Sequence, residues 1–336
     1  DKSHTAYVWA DAFLNYLTGL EWDGKIPLTP FIQRGQSAKS PLHKGELGGL
    51  LDFWPADLHL MSKDILRVHA TIWPAMLLSF GLPLPKTLFI HGFFMIDGQK
   101  MSKSLGNVIT PQELVKKYGV DGARYLVASA APFGSDGDVS WAKFDEKYNA
   151  DLANGLGNLV ARVLSMTEKY FNGKVPSREK ENEVLLTKFP QGFFPGKITA
   201  KEIHLSNTPA LVEKFIETQF FWYKKNLITF GIDAALIYVK SCSSALDNYI
   251  TEYQPFKLIK EDKEKTAAVL YNCLEGLRII AWMLWPFMPE TAEKIWESLG
   301  LNMQKEMAKK FEDATKWGGL KVDTKIKKGE ILFPRL

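Results

Sequence analysis

Residues 263–285 dictate most of what this chain can become. The stretch is very rich in apolar residues, among them Leu274, Ile279, Ile280, Trp282 and Leu284, and Pro286 and Pro289 punctuate its end. A helix that apolar is stable only when other elements surround it. Helical patterning on both sides supplies them. One long helix reads over 147–171, with few breaks beyond Gly155 and Gly157. Another starts at Thr208-Pro209 and runs, with a break near Gly231, to Tyr253. Gln254-Pro255-Phe256 is a turn, and helices at 289–299 and 303–313 follow. The tail, with Trp317-Gly318-Gly319-Leu320 and Ile331-Leu332-Phe333-Pro334, reads as an extended segment that docks back. There are no internal repeats, so the second half is an α-helical bundle.

The first half follows a different pattern. Tyr7-Val8-Trp9 reads as a strand end leading into a helix stopped by Gly19. Trp9, Ala12 with Phe13, and Tyr16 share one face of that helix, which by spacing alone is a plain core stripe. Residues 27–51, with Pro27, Pro30, Pro41 and four glycines among polar residues, read as an insertion-like surface loop. Residues 52–61 give a turn and a short strand. A helix is expected from about Ser62, a possible cap, to Phe80, kinked at Pro74. On it Ile65, His69 and Trp73 stand at i, i+4 and i+8. Thr87–His91 reads as a short buried strand.

The run Lys100-Met101-Ser102-Lys103-Ser104 follows, flanked by the turn pairs Asp97-Gly98 and Gly106-Asn107. Thr110-Pro111 opens a helix, with Glu113 near its positive end. A cationic loop between a strand and a helix suits the neutralising of phosphates while a neighbouring bond breaks. Two short helices are expected around Gly119–Gly122, and the domain boundary near 140. A second insertion-like stretch, about 173–206, contains Pro176, Pro190 and Pro195.

At 336 residues, two domains are expected. Forty-two basic against 38 acidic side chains leave a net charge of +4, which permits nucleic acid as a partner without demanding it. No apolar run reaches the roughly 20 residues of a membrane span, and the N-terminus carries no signal-peptide pattern. Cys242 and Cys273 fall within helical patterns and read as small buried hydrophobes; the six histidines show no ligand spacing. No metal site and a cytosolic compartment are expected.

Lys100–Ser104, after Asp97-Gly98 and before Leu105-Gly106-Asn107, resembles the second ATP signature of class I aminoacyl-tRNA synthetases. Tyr7–Ala12, Asn15–Gly19, Trp54–Asp57, Lys63–Arg67, His69, Trp73–Met76, His91–Pro111, Asn149–Asn154 and Gly157–Arg162 together resemble the methionyl-tRNA synthetase family. The likeness covers roughly 1–26, 52–175 and 208–336, outside the two insertion-like stretches.

The resemblance implies an α/β plus all-α architecture. The C-terminal half of a Rossmann-like catalytic domain with a stem-contact region would occupy 1–140, and an α-helical anticodon-binding domain 141–336. It implies that Trp9, Ala12, Tyr16, Ile65, His69 and Trp73 line a methionine pocket, an aromatic-walled slot suited to a thioether. Phe13 stands where some members carry proline. It implies that Lys100, Met101, Ser102, Lys103 and Ser104 close over ATP, which arrives with Mg2+. Lys103 would carry the pyrophosphate-side charge with Lys100 in support, and Asp64 would serve as an active-site carboxylate. Asn158 and Arg162 would contact anticodon bases of tRNA(Met), and Pro255-Phe256 matches a position where many members have Pro-Trp. The family's first ATP signature, of His-Ile-Gly-His type, and its zinc knuckle belong to a preceding half that this sequence lacks. The chain is therefore expected to be a C-terminal portion, a monomer, and inactive alone. Another class I synthetase, for leucine, isoleucine, valine or cysteine, and a tRNA-binding protein without catalysis are the alternatives.

Overall fold

The computed structural model describes residues 8–20, 54–178, 185–186 and 210–336. Tyr7, the insertion-like loop at 27–51, Thr208-Pro209 and most of 173–206 lie outside the described residues. Two compact units emerge: Asp1–Phe93 with Gly134–Asp136, and Phe94–Phe133 with Gly137–Leu336. The functional boundary expected near 140 lies inside the second.

In the first unit, helix α1 spans Val8–Thr18, so Val8 and Trp9 are helical where a strand end was expected. The Gly19 amide closes its end on the Asn15 carbonyl at 3.0 Å. Strands β1 (His59–Ser62) and β2 (Leu88–His91) pair in parallel, with His59 opposite Leu88 and Ser62 opposite His91. The expected strand is present at β2 but half-buried rather than buried. Between them the single helix expected over 62–80 is two, α2 (Leu66–Ala70) and α3 (Ile72–Ser79), parted at Thr71. Proline explains the displacement. Pro74 has no N–H for the Ala70 carbonyl and its ring crowds that carbonyl, so the break falls one turn upstream. Pro74 then sits in the first turn of α3, where no N–H is needed. Ser62 ends β1 and caps nothing. Phe13, Leu17, Trp54, Trp73, Leu77 and Leu82 form this unit's core.

The second unit opens with a hairpin, β3 (Phe94–Ile96) and β4 (Gln99–Lys100), turned by Asp97 and Gly98, both at positive φ (52° and 74°). That conformation is what an Asp-Gly pair favours. Helix α4 (Pro111–Ala128) begins with a full capping box between Thr110 and Glu113 and is split at Gly119 (φ 72°), the two expected helices. Strand β5 (Gly137–Asp138) pairs in parallel with β3. The long helix then begins at α5 (Trp141–Lys147), earlier than the expected 147. It passes through a π-helical segment, Tyr148–Gly157, into α6 (Asn158–Phe171).

The remaining elements follow the expected order. The short strands β6 (Leu185–Leu186) and β7 (Ala210–Leu211) pair antiparallel. Next come α7 (Val212–Ile228), α8 (Ile232–Tyr253), the single turn α9 (Pro255–Leu258), α10 (Lys263–Leu284) and α11 (Pro289–Ser298). The stretch expected as one helix over 303–313 is two short turns, α12 (Met303–Met307) and α13 (Phe311–Ala314).

Helix α10 is long and apolar enough to cross a membrane by length and composition, but its apolar window is wholly buried. It packs against α6, α7, α8 and α11. Cys242 and Cys273 are buried, and burial pushes both thiols far above their ordinary range. Two polar arrangements complete the bundle. Asp121 Oδ2 accepts the Thr291 N–H at the start of α11 (2.6 Å), and Arg124 donates to the Phe287 and Pro286 carbonyls (2.6 and 2.8 Å). Inside, Glu275 receives Arg278 Nη2 at 2.7 Å and the amides of Gly318, Gly319 and Leu320 at 2.8, 2.9 and 2.9 Å. Arg278 also donates to the Ala314 and Lys316 carbonyls. This pair docks the extended tail, and Gly319 is required there because a Cβ would meet the guanidinium at 2.6 Å.

Candidate functional site

In the first unit, aromatic rings from separate stretches meet. Phe13 and Tyr16 come from α1, His69 from α2, Trp73 from α3 and His59 from β1. Phe13 stacks on Trp73 (5.4 Å between centroids) and meets His69 edge-on (4.9 Å). Tyr16 stacks on His59 at 4.6 Å and lies 5.6 Å from Trp73. Phe13 is thus an integral wall of this cluster.

Hydrogen bonds fix the proton positions. His69 Nδ1 lies 2.9 Å from the Ile65 carbonyl, which can only accept, so Nδ1 carries the hydrogen. His69 Nε2 therefore accepts from the Tyr16 hydroxyl at 3.0 Å. Trp73 Nε1–H donates to His59 Nε2 at 3.0 Å, which places the His59 hydrogen on Nδ1. Burial, and secondarily His69, holds the His59 pKa below its ordinary value. Burial likewise raises that of Tyr16, which keeps its proton. Of the residues expected in the pocket, Tyr16, His69 and Trp73 converge, and half-buried Ile65 contributes its carbonyl. Ala12 is exposed, and the side chain of Trp9 lies outside the description.

At the carboxyl ends of β1 and β2, where open parallel sheets receive ligands, Asp64 is exposed and bonded to the Ser62 hydroxyl. Lys63 beside it reaches Asp136 at 2.6 Å and lies over the Phe93 ring. Asp136 also accepts the Phe93 N–H at 2.8 Å. Gly92 makes this approach possible, since a Cβ there would lie 2.1 Å from the Ser135 carbonyl oxygen.

The lysine run belongs to the second unit. Lys100 ends β4, and the Met101 N–H returns to the Phe94 carbonyl at 3.0 Å. Asn107 closes the loop: its Oδ1 accepts the Ser102 N–H at 2.8 Å and its Nδ2 donates to the Lys100 carbonyl at 3.4 Å. The Ser104 N–H donates to the Ser102 hydroxyl at 3.3 Å, and Lys103–Leu105 form a single 3-10 turn. Lys100 and Ser104 are exposed, Met101 and Ser102 half-buried; for Lys103 the description ends at the backbone. Asn107 was quoted in the motif for its turn chemistry, and its closing bonds were not foreseen.

Asn158 begins α6 and is exposed; Arg162, one turn on, bonds Asp247 of α8 at 2.5 Å. Asp247 is a site residue the sequence did not disclose, for nothing local pairs positions 85 apart. It borders a cleft of about 180 Å³ lined also by Asp151, Lys240 and Asn248. Burial raises the Asp151 carboxyl, but Lys240, Lys147 and the Tyr125 hydroxyl outweigh it and leave the pKa below its ordinary value. Beyond the C-terminus of α8, Gln254 takes the left-handed conformation (φ 44°), Pro255 is buried, and Phe256 stands 46% exposed. Among the described residues, no group of three histidine, cysteine or carboxylate side chains can hold a metal ion.

Residues 1–164 match the family described as tRNA synthetases class I (M), and residues 205–336 match the anticodon binding domain of methionyl tRNA ligase. Over its whole length the chain is 38% identical to a methionine--tRNA ligase of Caldanaerobacter subterraneus, covering 46% of that protein. It is 37% identical to the one of Bacillus subtilis, covering 44%. The chain thus spans about half the length of the curated relatives it matches. Among solved structures, Mycobacterium tuberculosis methionyl-tRNA synthetase in complex with methionyl-adenylate superposes with a TM-score of 0.76 at 31% identity. That match covers 98% of this chain and 56% of that one.

Proposed function

This chain belongs to the class I (M) tRNA synthetases, and on that footing we propose that the protein carrying it is a methionine–tRNA ligase. The observation that carries the reading is the meeting of Tyr16, His69 and Trp73, drawn from three stretches of sequence, around neutral hydrogen-bonded imidazoles. Such a slot offers a thioether aromatic faces, contacts that contribute about 0.3–1.5 kcal/mol.

In the proposed reaction a methionine carboxylate oxygen attacks the α-phosphorus of ATP. The bond to the β-phosphate breaks, and pyrophosphate leaves with the bonding electrons. A terminal hydroxyl of tRNA(Met) then displaces AMP from the adenylate. No covalent enzyme intermediate is needed, so positioning and charge stabilisation carry the catalysis. Lys103 would meet the charge developing on pyrophosphate, with Lys100 in support. Met101, Ser102 and Ser104 would cover the nucleotide, Asp64 would act as an active-site carboxylate, and Mg2+ would accompany ATP. Trp9 and Ala12 complete the proposed slot, with residues 1–140 as its catalytic portion. Asn158, Arg162 and Phe256 form the proposed anticodon face of residues 141–336. We place the enzyme in the cytoplasm as a monomer.

The test is methionine-dependent ATP–pyrophosphate exchange by the complete enzyme. Exchange driven by leucine or valine and not by methionine would refute the specificity. The 336-residue chain alone is expected to bind a tRNA(Met) anticodon stem-loop without forming adenylate; a burst of adenylate from it would refute that part.

Phe256→Ala is expected to weaken stem-loop binding by about 1–3 kcal/mol, the contribution of one stacked base. Fluorescence anisotropy at fixed salt reads it, and unchanged affinity would remove Phe256 from the interface. Phe256→Trp should strengthen binding.

A further inference from the structure

His59 stands outside every motif that carried the functional reading, yet its ring faces Tyr16, Trp54, His69 and Trp73 at once. Trp73 is fully buried, and an indole has one hydrogen to give and nothing to accept with. Left unpartnered in such a place, that N–H would be strongly disfavoured. Its printed acceptor is His59 Nε2 at 3.0 Å, and the same imidazole stacks on Tyr16 at an interplanar angle of 26°. On the far side of the cluster His69 does the matching thing, accepting the only polar hydrogen of Tyr16. Both side chains that wall the slot therefore have their hydrogens drawn away from it by imidazoles.

We propose that His59 is a positioning residue for the methionine slot, fixing Trp73 through its indole N–H and Tyr16 through ring contact, so that the thioether meets aromatic faces and no N–H donor. The proposal rests on the methionine–tRNA ligase reading given above. His59 acts through Trp73 and Tyr16, not on the substrate.

The device works only with a neutral imidazole. A protonated His59 would turn Nε2 into a donor pointed at the Trp73 donor, and the bond would be lost. The titratable groups facing the ring are Tyr16 from α1 and His69 from α2; β2, the neighbouring strand, sets Leu88 opposite. A second imidazole nearby disfavours the charged form, as does burial. The sign follows. Because the folded-state pKa is depressed, the contribution is complete above the ordinary value of 6.5 and is lost as pH falls through the depressed one.

The experiment uses the intact enzyme. KM for methionine and kcat are measured by ATP–pyrophosphate exchange between about pH 5.5 and 8, a range bracketing ordinary histidine titration. His59→Phe keeps a ring and removes the acceptor. It is expected to raise KM for methionine about tenfold at the upper end of the range, with kcat and KM for ATP nearly unchanged, as for one lost buried hydrogen bond. His59→Gln supplies an oxygen near the Nε2 position that does not titrate. It is expected to restore most of the methionine affinity and to abolish the acid-side rise in KM. Nitrogen-15 NMR of the parent should find the His59 hydrogen on Nδ1. An unchanged KM in His59→Phe, an acid limb that survives in His59→Gln, or a hydrogen on Nε2 would each overturn the proposal. Parent enzyme whose exchange ignores methionine would overturn the functional reading, and this proposal with it.

Discussion

Lys103→Ala is expected to lower kcat for methionine-dependent ATP–pyrophosphate exchange by about 100- to 1,000-fold, the range for loss of one donor aimed at transition-state charge. The loop's framework should survive the change. Its shape is set by Asp97 and Gly98 at positive φ and by the Asn107 side chain bridging Ser102 and Lys100. KM for methionine should therefore move little, because the methionine slot is built from first-unit residues on other elements. Lys100→Ala should cost less than Lys103→Ala, since Lys100 is assigned the supporting part. Equal losses in kcat and in methionine binding, with an unchanged melting curve, would argue against a charge acting on the departing pyrophosphate. A Lys103→Ala enzyme with full exchange activity would remove the loop from the chemistry altogether.

Glu275→Ala should destabilise the chain by about 3–5 kcal/mol, the usual consequence of leaving one partner of a buried ion pair uncompensated. Glu275 and Arg278 are almost wholly inaccessible (side chains 0% and 1% exposed), so water cannot take over for either. The carboxylate also holds three consecutive tail amides, Gly318 to Leu320, which would be orphaned together. For a unit this large the loss corresponds to a fall in Tm of roughly 6–20 °C. Limited proteolysis should cut the tail well before the bundle. Replacing both partners by apolar residues, Glu275→Leu with Arg278→Met, should be far milder than Glu275→Ala, because no charge is then stranded. A single variant that melts with the parent would show the tail held by other contacts, such as buried Leu320, Ile326 and Phe333.

What could be read from the sequence follows from how far apart the interacting groups lie. Thr110, Pro111 and Glu113 act within one helical turn, and their capping box forms as their order dictates. Asp97-Gly98 turns the hairpin for the same reason, and the apolar run at 263–285 could only be the buried helix it is. The failures are of another kind. Pro74 was expected to kink a helix at its own position, whereas the chain breaks at Thr71, since the crowding acts on the carbonyl four residues back. His59 escaped notice because it lies on a strand, where no helical stripe includes it, and its partner Trp73 approaches through the fold. Arg162 was read as free for a base, but Asp247 from another helix orients it. The widened winding of Tyr148–Gly157 left no mark in composition, since two glycines suit an ordinary helix break equally well.

That widened winding has a bearing on how the chain tolerates change in length. With i→i+5 bonding, as in the Asn158 N–H to Ala153 carbonyl link, the segment accommodates residues that an α-helix would have to expel. Deleting one residue between 148 and 157 would let it relax to α-helical pitch and swing everything downstream by about 100°. Asn158 and Arg162 would then point away from Asp247 while their own sequence stayed untouched. The angular phase of the nucleotide-reading face is thus stored upstream of the residues that read.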